Sequence, residues 1–255
     1  MGPVLAIVSQ KGGVGKTTTA VNLATAFARR GMKTLLVDTD PQGAVRFGAG
    51  LRRGHPPYGI SDFLRGDKPL REVILPTALP WLRVILAGSV TSESDHTAFH
   101  HHVERDEALK EVLTIARERC DVVVVDTPPG LGPIAHRVLT LSQHVLVPLQ
   151  CEPLALQTTP QILRGIQDIA AANPDLVFDG IVLTMYDASS PLSARVAEYA
   201  RQHLPRDMVL ETMIPRTTGA LEAFAAGQPV VMRDPSDPAA QAYVNLATLL
   251  AARLA

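Results

Sequence analysis

Short apolar runs alternate with segments of helical periodicity along nearly the whole chain. The runs are rich in Val, Ile and Leu, and several are apolar at every position, as in the four consecutive valines at 122–125. Strands that are apolar on both faces belong in the middle of a sheet that helices cover. The predicted strands are Val4–Ser9, Thr34–Asp38, Leu82–Leu86, Asp121–Asp126, His144–Leu149, Gly180–Thr184 and Met208–Ile214.

The segments between these runs carry the spacing of amphipathic helices. Gly31 stands where a glycine commonly ends a helix, and Asn173-Pro174 follows another helical segment. Alternating strands and helices predict an α/β fold: a single domain, residues 1–255, with a doubly wound, mostly parallel sheet flanked by helices. Peripheral helices and loops are expected over Gly48–Trp81. The predicted helices are Thr17–Arg30, Glu104–Arg119, Thr159–Ala172 and Leu192–His203.

Composition narrows the function classes. The net charge of −1 argues against a strongly basic nucleic-acid binder, although it allows a local basic patch. Cys120 and Cys151 are isolated from each other, which disfavours a disulfide framework, a zinc site or an iron–sulfur site and fits a reducing compartment. No apolar run approaches the ~20 residues that cross a bilayer, and the chain begins without a signal-peptide pattern. We therefore expect a cytoplasmic protein.

A glycine-rich loop follows the first predicted strand and directly precedes the first predicted helix. It reads SQKGGVGKTT from Ser9 to Thr18, and Gln10 occupies the first glycine position of the general P-loop pattern. Glycines at 12, 13 and 15 let backbone N–H groups approach phosphates, and the helix N-terminus adds partial positive charge. Lys16 is expected to reach the β- and γ-phosphates and Thr17 to ligate magnesium. The loop predicts ATP and Mg²⁺ as cofactors.

Acidic residues end two of the predicted strands. Asp38 and Asp40 close the second strand, and Asp126 closes the four-valine strand. An acid after a hydrophobic strand and facing a P-loop is the arrangement that holds a magnesium-bound water, so Asp126 is assigned to the metal site. The alternative is that these acids are solvated strand-end residues.

The motifs together resemble the ParA/Soj and MinD group of ATPases. The resemblance covers about residues 4–250 and rests on residues 11–19 (KGGVGKTTT), 35–43 (LLVDTDPQG) and 122–129 (VVVVDTPP). Thr184-Met185-Tyr186-Asp187 and Ile214-Pro215-Arg216 resemble the chromosomal ParA (Soj) branch in particular. The implied activity is slow ATP hydrolysis, stimulated by a protein partner, in an ATP-dependent homodimer that positions or partitions a cargo.

The resemblance also implies roles for individual residues. Lys11 is the signature lysine, which would cross an ATP-sandwich dimer and stabilise charge on the other molecule's phosphates. Asp40 would orient the attacking water and Asp38 would support the magnesium shell. Met185 stands where many relatives have Asn, which removes a polar contact to adenine. The implied nucleotide-binding residues are Lys11, Gly12, Gly13, Val14, Gly15, Lys16, Thr17, Thr18, Pro215 and Arg216.

Two departures from the family pattern bear on DNA binding. Ser189-Ser190 and Thr217-Thr218-Gly219 stand where the chromosomal branch commonly carries arginines, at Ser189 and Gly219. Non-specific DNA binding rests largely on such phosphate contacts, so these replacements argue against it. Other arginines could rebuild a basic patch, although solvated surface positions are the simpler interpretation. These arginines are Arg195, Arg201, Arg206 and Arg233.

Other functions remain as alternatives. A MinD-like protein needs a basic amphipathic membrane helix, but the apolar tail Ala239–Ala255 carries one cation and is predicted to be a packed final helix. A metabolic or redox P-loop enzyme needs a further substrate pocket or a cysteine pair. A scaffold that binds ATP without hydrolysis conflicts with the retained Lys11 and Asp40. The histidines at 96 and 100–102 are interpreted as solvated rather than metal-binding.

Overall fold

A single mixed sheet forms the centre of the molecule in the computed structural model, which describes residues 1–51, 58–90, 92–105, 107–205 and 207–254. Its strands are β1 (Val4–Ile7), β2 (Thr34–Asp38), β3 (Ile74–Pro76), β4 (Leu82–Ile85), β5 (Val122–Asp126), β6 (His144–Gln150), β7 (Val177–Tyr186) and β8 (Val209–Pro215). Their order is β3-β4-β2-β5-β1-β6-β7-β8. Neighbouring strands pair in parallel except β3 with β4.

Helices cover both faces of this sheet because the strand residues are apolar on both sides. Val4, Ala6 and Val8 belong to one core, and Leu5 and Ile7 belong to the other. The helices are α1 (Lys16–Arg29), α2 (Ile60–Leu64), α3 (Leu70–Val73), α4 (Glu93–Arg105), α5 (Ala108–Arg119), α6 (Pro133–Thr140), α7 (Pro153–Ala172), α8 (Pro191–His203), α9 (Thr218–Ala225), α10 (Val230–Arg233) and α11 (Pro238–Arg253), with a 3-10 turn at Ala44–Phe47.

The two helical layers have different members. Helices α4 to α8 contribute to the core that contains Val4, whereas α1, α9, α10 and α11 contribute to the core that contains Leu5. Helix α11 buries its apolar face, including Tyr243 and Leu246, and packs on α1 and β8. The expected packed final helix is therefore present. Among the described helices, none combines the length and apolarity that a membrane crossing requires.

The predicted doubly wound, mostly parallel sheet is confirmed. The expectation of only helices and loops over Gly48–Trp81 is wrong, because Ile74–Pro76 forms the edge strand β3, antiparallel to β4. The other differences lie at element ends. Helix α5 begins at Ala108, so the predicted start at Glu104 is wrong because residues 104–105 belong to α4. Helix α7 begins at Pro153, well before the predicted start at Thr159, since Pro153 suits a helix N-terminus and Pro160 is tolerated inside. Asp106, Arg206, Ala255 and residues 52–57 of the predicted peripheral stretch lie outside the described residues.

The strand register places the functional ends side by side. Asp126 of β5 is paired with Ile7 of β1 on one side and with Asp38 of β2 on the other. The carboxyl ends of parallel strands face the same edge of the sheet, which is where ligands of doubly wound folds bind. The glycine-rich loop leaves β1 at this same level.

Candidate active site

The glycine-rich loop is fixed in an open turn around the N-terminus of α1. Gly13 and Gly15 have φ values of 79° and 85°, a left-handed conformation that glycine adopts without steric cost. The hydroxyl of Thr184, at the end of β7, donates to the carbonyl of Val14 over 2.8 Å. The Ser9 hydroxyl donates to the carbonyl of Lys11 over 2.9 Å. These bonds anchor the loop and leave the first N–H groups of α1 available to an anion.

Three side chains converge at the end of β5. Lys16 Nζ lies 2.9 Å from Asp126 Oδ1, and Thr17 Oγ1 donates to Asp126 Oδ2 over 2.7 Å. Lys16 Nζ is also 3.9 Å from Asp40 Oδ2. Lys16 is buried, and the Asp126 side chain is completely buried. The predicted loop lysine, loop threonine and strand-end aspartate therefore form one contiguous cluster.

Asp38 and Asp40 lie beside this cluster and have different environments. Asp38 accepts the backbone N–H of Asp40 at Oδ1 and that of Val45 at Oδ2, over 3.1 and 3.2 Å. Burial and then the nearby Asp126 carboxylate raise the pKa of Asp38 well above its usual range. Asp40 accepts the N–H of Gln42 over 3.0 Å and keeps its second oxygen toward Lys16. Asp38 thus holds the loop that positions Asp40.

The donor set fits a magnesium–nucleotide complex. Burial raises the pKa of Asp126, while Lys16 and the Thr17 hydroxyl act to lower it. Paired buried carboxylates with one cation between them form a site where further positive charge is favourable. Magnesium in such sites takes one or two carboxylates or hydroxyls and completes its shell with water and phosphate oxygens. Thr17 and Asp126 would supply those protein groups, and Lys16 and the loop amides would supply the phosphate donors.

Lys11 forms its side-chain hydrogen bond outside the cluster of Lys16 and Asp126. Its Nζ donates to the backbone carbonyl of Leu154, in the first turn of α7, over 3.3 Å. The Leu154 side chain is exposed. Within its own chain Lys11 therefore binds a neutral carbonyl at the surface, so its amino group stays available to another molecule.

A pocket of about 390 Å³ extends from the loop toward the ends of β7 and β8. This volume lies in the range of small-molecule sites. Met185 has a φ of 52°, which places its backbone in the left-handed region, and the N–H of Arg216 donates to the carbonyl of Tyr186 over 2.8 Å. The pocket is lined by Gly15, Thr18, Thr184, Met185, Ile214, Pro215, Arg216, Thr217, Ala220, Leu221, Phe224, Ala225 and Tyr243.

The structure thus brings the predicted residues into two adjoining groups, and it adds residues that the sequence analysis did not assign. Thr184 holds the loop, and the motif that contains it was the available signal. Tyr243 is fully buried, lines the pocket and has its hydroxyl 3.4 Å from Thr19 Oγ1. Burial raises its pKa to about 12. Tyr243 lay in an ordinary apolar helix pattern and gave no signal of this role.

The two departures from the family pattern have local structural roles. Ser189 donates its N–H and its hydroxyl to Asp187 Oδ1, and Ser190 caps α8 by accepting the N–H of Ser193. Gly219 lies in the first turn of α9. Arg195, Arg201 and Arg233 are all exposed, and Arg201 also donates to the carbonyl of Glu211. These features argue against non-specific DNA binding, which stays a prediction.

The histidines and cysteines were the remaining candidates for a metal or redox site. In the part of the chain that the structure describes, no group of three His, Cys, Asp or Glu side chains is placed to hold a metal. Cys120 and Cys151 are free thiols, and burial raises the pKa of Cys151 to about 11. Such thiols are poor nucleophiles and poor ligands at neutral pH.

Comparison with known proteins identifies the family. The family model for an AAA domain matches residues 2–178. The chain is 36% identical over 253 residues to the sporulation initiation inhibitor protein Soj of Bacillus subtilis, covering 99% of each. It is 41% identical over 249 residues to the chromosome partitioning protein ParA of Caulobacter vibrioides, covering 96% of this chain and 92% of that protein.

A solved structure extends the comparison to the fold. The cobyrinic acid a,c-diamide synthase of Mycobacterium smegmatis, with bound ADP and magnesium, matches with a TM-score of 0.79 and 32% identity. The match covers 98% of this chain and 94% of that chain. With the loop, the strand-end aspartates and the sheet order described above, these matches lead to one conclusion: the chain belongs to the ParA/Soj family of P-loop ATPases.

Proposed function

We propose that this chain is an ATP-dependent dimerising switch that hydrolyses ATP slowly and positions or partitions a cellular cargo. The cargo is chromosome or plasmid DNA or a protein assembly. The observation that carries the proposal is the convergence of Lys16, Thr17 and Asp126 at the mouth of an open P-loop, with Asp40 alongside. The similarity to Soj and ParA over nearly the whole chain supports the same function.

Each residue has a part in this function. Lys16 binds the β- and γ-phosphates together with the loop amides of residues 12–16, and Thr17 and Asp126 hold Mg²⁺. When bound, Mg²⁺ neutralises charge that develops on the phosphate oxygens. Asp40 orients the attacking water. Asp38 supports the magnesium shell and also fixes the backbone around Asp40 through its two hydrogen bonds. Pro215 and Arg216 belong to the wall that receives the base.

Lys11 supplies the link between hydrolysis and assembly. In its own chain the Lys11 ammonium group donates to the carbonyl of Leu154, a neutral acceptor at the surface, so it can serve the phosphates of a second copy instead. ATP then favours the homodimer, and a cellular partner protein stimulates turnover. Changing the ratio of dimer to monomer from 1:99 to 99:1 requires ATP to favour the dimer by about 5.5 kcal/mol. We expect the protein to act in the cytoplasm.

Gel filtration of an Asp40→Ala variant with Mg²⁺ and ATP tests the switch. Removing the water-orienting carboxylate should block hydrolysis while Lys16 and Thr17 still bind ATP, so the variant should elute as a dimer with ATP and as a monomer with ADP. Asp67→Ala, which removes an exposed carboxylate paired with Arg65, is the matched control and should behave like the wild type. A variant that binds ATP yet stays monomeric would contradict the proposal.

Co-sedimentation with non-specific duplex DNA then separates the cargo classes. Tight, salt-sensitive binding of the Asp40→Ala dimer would indicate that other arginines rebuild a phosphate-binding surface. No binding by a dimer that demonstrably forms would direct the search to protein assemblies.

A second candidate is an ATP-dependent small-molecule enzyme. The similarity to the M. smegmatis cobyrinic acid a,c-diamide synthase favours it. Its signature would be ADP release that depends on a small-molecule substrate and proceeds without a protein partner. Redox versions are disfavoured, because Cys120 and Cys151 are separate free thiols with raised pKa values.

A further inference from the structure

The wall of the 390 Å³ pocket is tied to the final helix through one threonine. Thr217 caps α9: its hydroxyl oxygen accepts the N–H of Ala220 over 3.1 Å. The same hydroxyl donates to Asp237 Oδ1 over 3.0 Å. Thr217 lines the pocket itself, and the α9 residues Leu221 and Phe224 line it further along. The position of this wall therefore depends on where Asp237 holds the threonine.

Asp237 is fixed by a second bond. It caps α11, because its Oδ1 also accepts the N–H of Ala239 over 2.7 Å, and the residue is only 8% exposed. Its own N–H donates to the carbonyl of Asp234 over 3.1 Å. Oδ1 is thus shared between the ends of two helices, α9 and α11, that are separate in sequence. A carboxylate held in this way cannot rotate without losing both bonds.

The second oxygen of Asp237 explains the glycine at 219. A Cβ built on Gly219 would lie 2.2 Å from Asp237 Oδ2, well inside contact distance. Gly219 does not adopt a left-handed backbone, so the requirement is for space rather than for conformation. The carboxylate that ties α9 to α11 occupies the place where a side chain of residue 219 would begin.

We propose that Asp237 is a positioning residue for the base of the bound nucleotide, acting through Thr217, and that Gly219 is the space it requires. The inference rests on the proposed function, since it takes the pocket between β7, β8 and α9 as the site of the base. Asp237 is not one of the described residues that line the pocket. It sets the position of the pocket wall without touching the ligand.

Capping and positioning make different demands on residue 237. A serine can cap α11, but its shorter side chain does not reach Thr217. Asparagine keeps an oxygen for both Thr217 and Ala239. Asp237→Ser therefore retains the cap and loses the tie, whereas Asp237→Asn retains both. Thr217→Val removes the tie from the other side while Asp237 still caps α11.

Titration calorimetry with two probes tests the inference. Mg²⁺–ADP reports on the base wall and the phosphate loop together, and tripolyphosphate reports on the loop alone. We expect Asp237→Ser and Thr217→Val to raise the Kd for ADP about tenfold, the size of effect of losing a hydrogen bond to a charged group. Tripolyphosphate binding should not change, and Asp237→Asn should match the wild type. Asp234→Ala, which removes an exposed carboxylate bonded to Ser236 in the same turn, is the control.

The outcomes separate this inference from the proposed function. If Asp237→Ser and Thr217→Val bind ADP like the wild type, or lose ADP and tripolyphosphate equally, Asp237 does not position the base wall. If the wild type binds pyrophosphate, which has the same two phosphates as ADP, as tightly as it binds ADP, the pocket is not a base site and the inference also fails, while the phosphate loop stands. If the wild type binds neither probe, the proposed ATPase function itself is wrong.

Discussion

On the proposed function, the site has a phosphate end and a base end, and the two are built in opposite ways. At the phosphate end, the buried Lys16 and the half-buried Thr17 both bind the buried carboxylate of Asp126 directly. At the base end, the wall is largely apolar. Two contacts to α11 and its N-cap fix it: Thr217 donates to Asp237, and the Tyr243 hydroxyl lies near that of Thr19. On this proposal, short motifs specify where phosphates bind, whereas packing between distant helices specifies the space for the base.

The first way to test this contrast is to remove the central cation, which should give the largest effect. Lys16→Met leaves Asp126 beside Asp38 without a compensating charge. Breaking a buried ion pair costs about 3–5 kcal/mol in free energy of unfolding, and phosphate binding should be lost as well. Urea unfolding and tripolyphosphate titration measure the two effects.

Lys110→Met is the matched control for this experiment. Lys110 forms a solvent-exposed pair with Glu107, and exposed pairs contribute less than about 1 kcal/mol. Equal stability of the two variants would mean that the phosphate end does not depend on its buried charges.

A second test uses the buried hydroxyl at the base end. The pKa of Tyr243 is raised by burial from 10.0 to about 12, so the folded state keeps its proton where the unfolded state loses it. The contribution of Tyr243 to the free energy of unfolding is fully present below pH 10. It falls as the pH rises toward 12, by about 2–3 kcal/mol for a pKa shift of this size.

Tyr243→Phe should remove this pH dependence, because phenylalanine has no proton to lose. The measurement is the difference in unfolding free energy between wild type and variant at pH 9 and at pH 11.5, which cancels the titration of other groups. Tyr199→Phe, at an exposed tyrosine, should run parallel to the wild type. A constant difference between wild type and Tyr243→Phe would show that Tyr243 ionises as if exposed.

A third test places a methyl group against the Asp237 carboxylate that binds Thr217. Gly219→Ala places its Cβ against Asp237 Oδ2 and should cost about 1–3 kcal/mol, as overpacking of a filled site does. Adding Asp237→Ser should restore part of this loss because the shorter side chain vacates the space. A double-mutant cycle in thermal unfolding gives the coupling. Additive effects would mean that the two residues do not share this space.

The smallest expected effect concerns the backbone at Met185. Its φ of 52° suits asparagine much better than a β-branched residue. Met185→Val should therefore lower the unfolding free energy by about 1 kcal/mol or more, and Met185→Asn should change it by less. Chemical denaturation of both variants provides the comparison. The reverse order would indicate that apolar packing, rather than backbone conformation, decides this position.

The sequence predicted the phosphate end of the site better than the base end. Lys16, Thr17 and Asp126 could be placed together because each lies at the end of a predicted strand or the start of a predicted helix, and parallel strands align those ends. Tyr243 and Asp237 could not, since no motif aligns them with their partners Thr19 and Thr217, and only the packing of α11 brings each pair together. The start of α7 was missed because Pro160 resembles a helix boundary.

The hydrogen bond between Lys11 and Leu154 has a consequence for how the protein behaves in a population. On the proposed function, a molecule alone holds ATP but keeps its hydrolytic lysine on its own surface carbonyl. Turnover per molecule then rises with the number of neighbours rather than with the supply of ATP. The rate of hydrolysis would then report the local concentration of the protein. ATP is hydrolysed where many copies gather, and it stays bound where copies are sparse.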